Sequence, residues 1–229
     1  MAKILLCFLF SVFTLSAFSQ TTGDYNYSIA IRGYGLMQMP KILNETEPDK
    51  FTNTVLTGLM FKFNDNLISY RINGTYYNNK KRFFNNCETC DEANGKLLDY
   101  SFKLGFEKSF NYAKIQPYFA VDMGFRASKF TGDLENRNPL KPAGSVPNSR
   151  IESSKASIVV SPVVGFKLNP TEILSFYIES YMDFLYSYER EDITLTNANN
   201  TRKLNTARNG EYLLNPILVG IQIHLGSNK

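Results

Sequence analysis

Cys87 and Cys90 stand two residues apart in the stretch NNKKRFFNNCETCDEANGK. That spacing serves three chemistries: a redox pair, half of a zinc site, or a disulfide that pinches a loop. A redox pair works where it opens a helix in a thioredoxin-like unit, and the residues around this one do not read as such a unit. A structural zinc wants about four ligands, and this loop offers two cysteines and no histidine. The expectation is a Cys87–Cys90 loop disulfide and no metal. The one histidine, His224, has no serine and carboxylate constellation beside it in sequence, so a satisfied structural role is expected. Asp122, Glu179 and Asp183 would serve as general acid and base only if the fold paired them, and their separations cannot be read from sequence. No catalytic residue and no cofactor is expected, and the chain is not read as an enzyme. Lys80-Lys81-Arg82 followed by Phe83-Phe84 could grip anionic sugars or lipid phosphates, against the plainer reading of a solvated charge run. With 25 basic and 21 acidic residues, the chain does not advertise a nucleic-acid partner.

The elements that position these residues are legible in LLDYSFKLGFEKSF, Leu97 to Phe110. Leu98, Tyr100, Phe102, Leu104 and Phe106 alternate with Asp99, Ser101, Lys103, Gly105 and Glu107. Period two means a strand with one oily face and one charged face. The same alternation recurs around Ile29, Leu59, Ile72, Val121, Val164, Ile178 and Ile221, giving eight strands in all. Short polar connections at Asn64-Asp65-Asn66, Asn111 to Lys114 and Asn169-Pro170-Thr171 suit tight reversals. Long ones run over roughly residues 38–50, 78–96, 131–155 and 187–210. Pro117, Pro162 and Pro216 fall within strands and are expected at bulges or strand ends.

A soluble barrel of lipocalin type would turn its oily face inward around a ligand and dress its outside with charge. Here each strand has one face nearly free of charge, about nine residues or more in length, enough to cross a bilayer at a tilt. Tyr27, Phe63, Tyr76, Tyr100, Phe106 and Tyr186 stand near the ends of those faces, where an aromatic girdle sits. The fold expected is therefore all-β, an eight-stranded antiparallel up-and-down transmembrane β-barrel, with both termini at the short-turn end. The segment MAKILLCFLFSVFTLSAFSQ places Lys3 before a largely apolar run and the small-residue site Ala17-Phe18-Ser19. It reads as a signal peptide over 1–19, with the outer-membrane barrel over 20–229.

An eight-stranded barrel is just wide enough for its inward side chains to fill it. The lining expected comprises Arg32, Lys62, Arg71, Lys103, Arg126 and Lys167 against Asp99, Glu107, Asp122, Glu179 and Asp183. Charges in so narrow a lumen are tolerable when paired, which predicts a salt-bridge network plugging it, with Lys103 to Asp122 as the favoured pair. The same residues could instead line a narrow ion path or proton relay. Outer-membrane lipid is the expected partner, with a possible surface or secretion partner at the long loops and a monomeric state.

These strands and turns, the signal end Ser-Ala-Phe-Ser-Gln and the closing strand Val219-Gly220-Ile221-Gln222-Ile223-His224-Leu225 resemble the small outer-membrane barrels of Gram-negative Bacteroidetes, of PorT-like or OmpX-like type. The resemblance covers nearly the whole mature chain and has no diagnostic motif. It implies a cell-envelope protein with a surface-interaction or structural role, or an accessory of secretion or transport across the outer membrane. One departure is the final strand, which ends Leu225-Gly226 where such barrels usually end in an aromatic residue. A secreted lipocalin-like carrier of a small apolar ligand is the reading from another class.

Overall fold

A computed structural model describes residues 25–41, 51–84, 91–136, 149–195 and 201–227. Cys87, Cys90, the segment 1–19 read above as a signal peptide, and the prolines Pro139, Pro142 and Pro147 lie outside the described residues. Eight strands follow one another: β1 (Tyr25–Met37), β2 (Thr52–Asp65), β3 (Ile68–Phe84), β4 (Asp91–Ser109), β5 (Ile115–Asn136), β6 (Ser149–Leu168), β7 (Leu174–Leu195) and β8 (Arg202–Ser227). Each pairs antiparallel with the next, and β8 returns to β1 with Tyr27 opposite Leu225 and Ile31 opposite Ile221. Closure leaves the sheet no free edge over that stretch, so the backbone groups there bond within the wall.

Alternation decides which way each side chain points. Phe102, Leu104 and Phe106 on β4, Met123 and Phe125 on β5 and Val164 and Phe166 on β6 are exposed on the outside, whereas Lys103, Glu107 and Asp122 between them are 4%, 0% and 1% exposed. The oily face is thus outside and the charged face inside, on every strand. Tyr27, Phe63, Tyr76, Tyr100, Phe106 and Tyr186 all lie on the outer surface, at 43% exposure or more. An outward band of this kind is the reverse of a lipocalin's dressing of charge.

The tight reversals fall where polar turn residues stand. β2 and β3 are joined by Asn66 and Leu67 alone, and Asn66 takes a left-handed φ of 55°, which asparagine tolerates through its short polar side chain. The long connections are shorter than the sequence implies. Strand β3 continues to Phe84 and β4 begins at Asp91, while β5 to β8 run on to residues 136, 149, 195 and 202. Lys80, Lys81 and Arg82 therefore belong to a strand rather than a loop. Phe83 points inward and is fully buried, with its ring 5.4 Å from that of Phe130 and nearly perpendicular to it. With Tyr77, Ala93, Leu97 and Ile151 these two rings form an apolar cluster inside the barrel at its long-loop end.

Of the prolines, Pro216 sits where the β7–β8 register shifts, between Asn215 and Leu218. Pro117 lies at the short-turn end of β5, opposite Phe166. Pro162 is in mid-strand opposite Val121, and the β6–β7 ladder skips it and Ser161.

Candidate functional site in the barrel interior

All eleven charged residues expected in the lumen are buried there, none more than 6% exposed. They form two groups. Nearer the short turns, Glu107 of β4 accepts from three cations: Lys62 at 2.7 Å, Lys167 at 2.6 Å and Arg71 at 3.2 Å. Arg71 turns its other nitrogens to Asp122 at 3.3 Å and Glu179 at 2.9 Å, so one guanidinium holds three carboxylates from β4, β5 and β7. A planar fork with five donors fits this task, and a lysine could not reach all three. Tyr118 donates its hydroxyl to Glu179 at 2.9 Å, and Asn73 its amide to Asp122 at 2.9 Å.

Nearer the long loops, Asp183 of β7 accepts from Lys103 at 2.5 Å and from Arg126 at 3.0 Å. Arg126 also meets Asp99 at 3.1 Å, and Ser128 adds its hydroxyl to that carboxylate at 2.6 Å. Ser161 receives a bond from Lys103 at 2.8 Å and donates to Asp183 at 2.5 Å. The expected Lys103 to Asp122 pair is not formed. Lys103 stands opposite Gly124 and Asp122 opposite Gly105, and the long lysine stem crosses the lumen to β7 instead. Arg32 of β1 completes this group and reaches the Tyr181 hydroxyl at 3.3 Å and the face of that ring.

Three tyrosines, Tyr118, Tyr177 and Tyr181, are part of this packing. Their signal was parity, since they share the inward register with the charges. Lys62 and Lys167 lie over the Tyr118 ring at 5.5 and 5.1 Å, favourable seats for a cation. Gly165 makes room for that ring, because a Cβ there would sit 2.5 Å from its Cζ. Gly220 does the same for Tyr177.

His224 is not isolated. The fold brings it Ser28 at 2.9 Å on Nδ1 and Ser175 at 2.5 Å on Nε2, from β1 and β7. Ser175 donates to Asn169 Oδ1 at 2.5 Å, so it accepts from a protonated Nε2, leaving Nδ1 to receive the Ser28 proton. A serine that accepts from imidazole is not activated by it. With Ser175 fully buried and held between Asn169 and the imidazole, the cluster is a polar network at the short-turn end.

Beyond the aromatic ring at the long-loop end, Arg202 of β8 pairs with Asp192 of β7 on the exposed hairpin tip. Hydrogen bonding to the guanidinium holds the Asp192 carboxyl below the usual carboxylate range and raises Arg202.

No family model matches the chain, and no curated protein matches it. Among solved structures it is similar to the outer membrane protein OprG from Pseudomonas aeruginosa, at 12% identity and a TM-score of 0.52, over 90% of this chain and 98% of that one. At that identity the likeness shows the fold, an eight-stranded outer-membrane type of barrel, and nothing of chemistry or of the PorT-like type.

Proposed function

We propose that this chain is an integral outer-membrane barrel with a closed interior, and that its working surface is the part of the strands and loops beyond the long-loop girdle. The observation that carries this is the inward packing: eleven charged side chains buried on one another, with a cavity of only about 20 Å³ beside them. A water-filled path needs continuous wetted walls, whereas here the paired charges and the apolar cap of Phe83, Phe130, Leu97 and Ile151 meet across the lumen. The outward band then rests on lipid, the short turns and termini face the periplasm, and the long-loop end faces outside. One chain closes the barrel by itself, so a monomer suffices. The role is a surface interaction or envelope structure without chemistry of its own, supported by a histidine whose ring nitrogens meet the Ser28 and Ser175 hydroxyls and the Gln222 amide.

Planar-bilayer recording with the refolded full-length chain in molar potassium chloride tests this. A membrane containing heat-modifiable barrel should show no unitary steps. Regular steps from wild-type protein would make it a pore and defeat the proposal.

A further inference from the structure

The outer surface carries a cluster of cations that neither the oily band nor the packed lumen uses. Tyr76 and Tyr100 stand opposite each other at the long-loop girdle, and beyond them β3, β4 and β5 present Lys80, Lys96 and Lys129 on the same outward register. All three are exposed, and none makes an ion pair among the described residues. Lys80 is directly opposite Lys96 in the ladder, and Lys129 is opposite Leu98. Like charges that face each other across a ladder cost stability unless something negative lies between them. Lys81, although next in sequence, takes the other register and donates to Thr52 Oγ1 at 2.6 Å.

The signs are sorted by distance from the lipid. Leaving the oily band on alternate positions, β4 runs Tyr100, Leu98, Lys96, Asn94, Glu92, and β5 runs Phe125, Ala127, Lys129, Thr131, Asp133. On both strands the cation comes first and the acid after it. On β3, Lys80 is followed by Arg82, which Glu92 holds at 3.3 Å. β6 reverses the order, with Glu152 nearer the lipid than Arg150 and the two loosely paired at 3.9 Å, so the basic face ends there. An open groove of about 490 Å³ lies at the lysines, and its lining sets Lys80, Lys81, Arg82 and Lys96 against one acid, Asp133. A strand rises about 3.3 Å per residue, so Lys129 and Lys96 stand about 7 and 13 Å along their strands from the level of Tyr100, and less than that in height because the strands tilt. Lipid headgroups begin at that level, and a lysine lays its stem over apolar surface while its ammonium seeks charge.

We infer that the outer face of β3, β4 and β5 just beyond the long-loop girdle binds a phosphorylated lipid headgroup, with Lys80, Lys96 and Lys129 around its phosphate. A lipid phosphate is fixed at the depth where the lysines stand, and the acids lie beyond its reach. A soluble polyanion would gain nothing from having the cations nearest the oily band. The phosphate also supplies the negative charge that the facing pair Lys80 and Lys96 lacks. The inference rests on the membrane reading above and names which lipid chemistry one part of the wall selects.

The test refolds the full-length chain into phosphatidylcholine vesicles carrying a small fraction of diphosphoryl lipid A or of its dephosphorylated form, and weighs the lipid kept on the extracted barrel by native mass spectrometry. Wild type should keep the diphosphoryl form roughly tenfold better than the dephosphorylated one. The triple variant Lys80→Gln, Lys96→Gln, Lys129→Gln should lose that preference. Lys108→Gln with Lys114→Gln, which removes two exposed cations at the short-turn end, should keep it. On the wild type alone, diphosphoryl lipid A should shield Lys80, Lys96 and Lys129 from acetylation and leave Lys108 and Lys114 reactive, so the matter is decided even if the triple variant fails to fold. Equal retention of the two lipids, or unchanged retention by the triple variant, overturns the inference. So does a triple variant that keeps lipid A but loses binding of polygalacturonate or inorganic phosphate, which would assign the face to a soluble anion. A chain with no heat-modifiable band defeats the membrane reading and this inference with it, whereas a heat-modifiable barrel without lipid preference defeats this inference alone.

Discussion

Glu107 and Arg32 are buried to nearly the same degree inside one barrel, yet their surroundings are opposite. Glu107 is gripped by three cations within 3.2 Å, while Arg32 faces a tyrosine and a small cavity. Burial alone therefore does not say what a charge contributes. A charge with excess partners ties several strands together, and its removal strands its partners in low dielectric. A charge with no carboxylate at ion-pair distance breaks no ion pair when it is removed. The group around Arg71 is accordingly the structural lock of the lumen, and the group around Arg32 is where the lumen has slack.

The sharpest way to break this comparison is to remove each arginine in turn. Arg71→Met leaves Glu107, Asp122 and Glu179 short of a cation and should cost about 3–5 kcal/mol, read as a lower urea midpoint for loss of the fast-migrating unboiled band. Phe102→Arg places a charge on the lipid face and should cost about 2–4 kcal/mol by the same assay, with the barrel interior untouched. Arg32→Met should stay within about 1.5 kcal/mol of wild type, the worth of one hydrogen bond to Tyr181. A loss as large as that of Arg71→Met would mean that the two groups do not differ as described.

The smallest effect is expected outside the lipid band, where Asp192 and Arg202 meet in water. Asp192 has its folded pKa below its unfolded value, so whatever it contributes is present above the ordinary carboxylate pKa, near about 4, and is lost as pH falls through the folded value. Arg202 is largely exposed, and salt screening makes the pair weak. Asp192→Asn should leave the unfolding midpoint at neutral pH unchanged, while carboxyl NMR of the wild type should show Asp192 titrating below a free aspartate.

Most of the wall was legible in sequence and most of the pairing was not. Lys103 and Phe102 declare opposite faces because neighbouring positions on a strand must differ when one side meets lipid and the other a packed lumen. Strand ends were less legible. Beyond the girdle no lipid demands an oily outer face, so Asn78, Lys80 and Arg82 alternate with Tyr77, Lys81 and Phe83 in a pattern that looks like loop. Partner choice was illegible for a geometric reason: Lys103 bonds a residue 80 positions away across the lumen, on a strand that is not its ladder neighbour. His224 differs: its hydroxyl partners come from β1 and β7, the two strands that flank β8, with Ser28 directly opposite it in the ladder. The bulges beside Arg32 left a trace only in Gly33, since Leu56 gives no warning of its left-handed backbone.

Spin-label accessibility along the wall tests the central claim most directly, with single cysteine labels at Phe102, Leu104 and Phe106 and at the inward Ser101 and Ser157 of the reconstituted barrel. The expected result is strong relaxation by oxygen and little by a water-soluble nickel reagent at the three outward sites, and protection from both reagents at the two inward ones. Nickel access at Ser101 and Ser157 would reveal a wet lumen, and nickel access at Phe102 to Phe106 would put water where lipid is required. Either result would contradict an oily wall closed around a packed, charged interior.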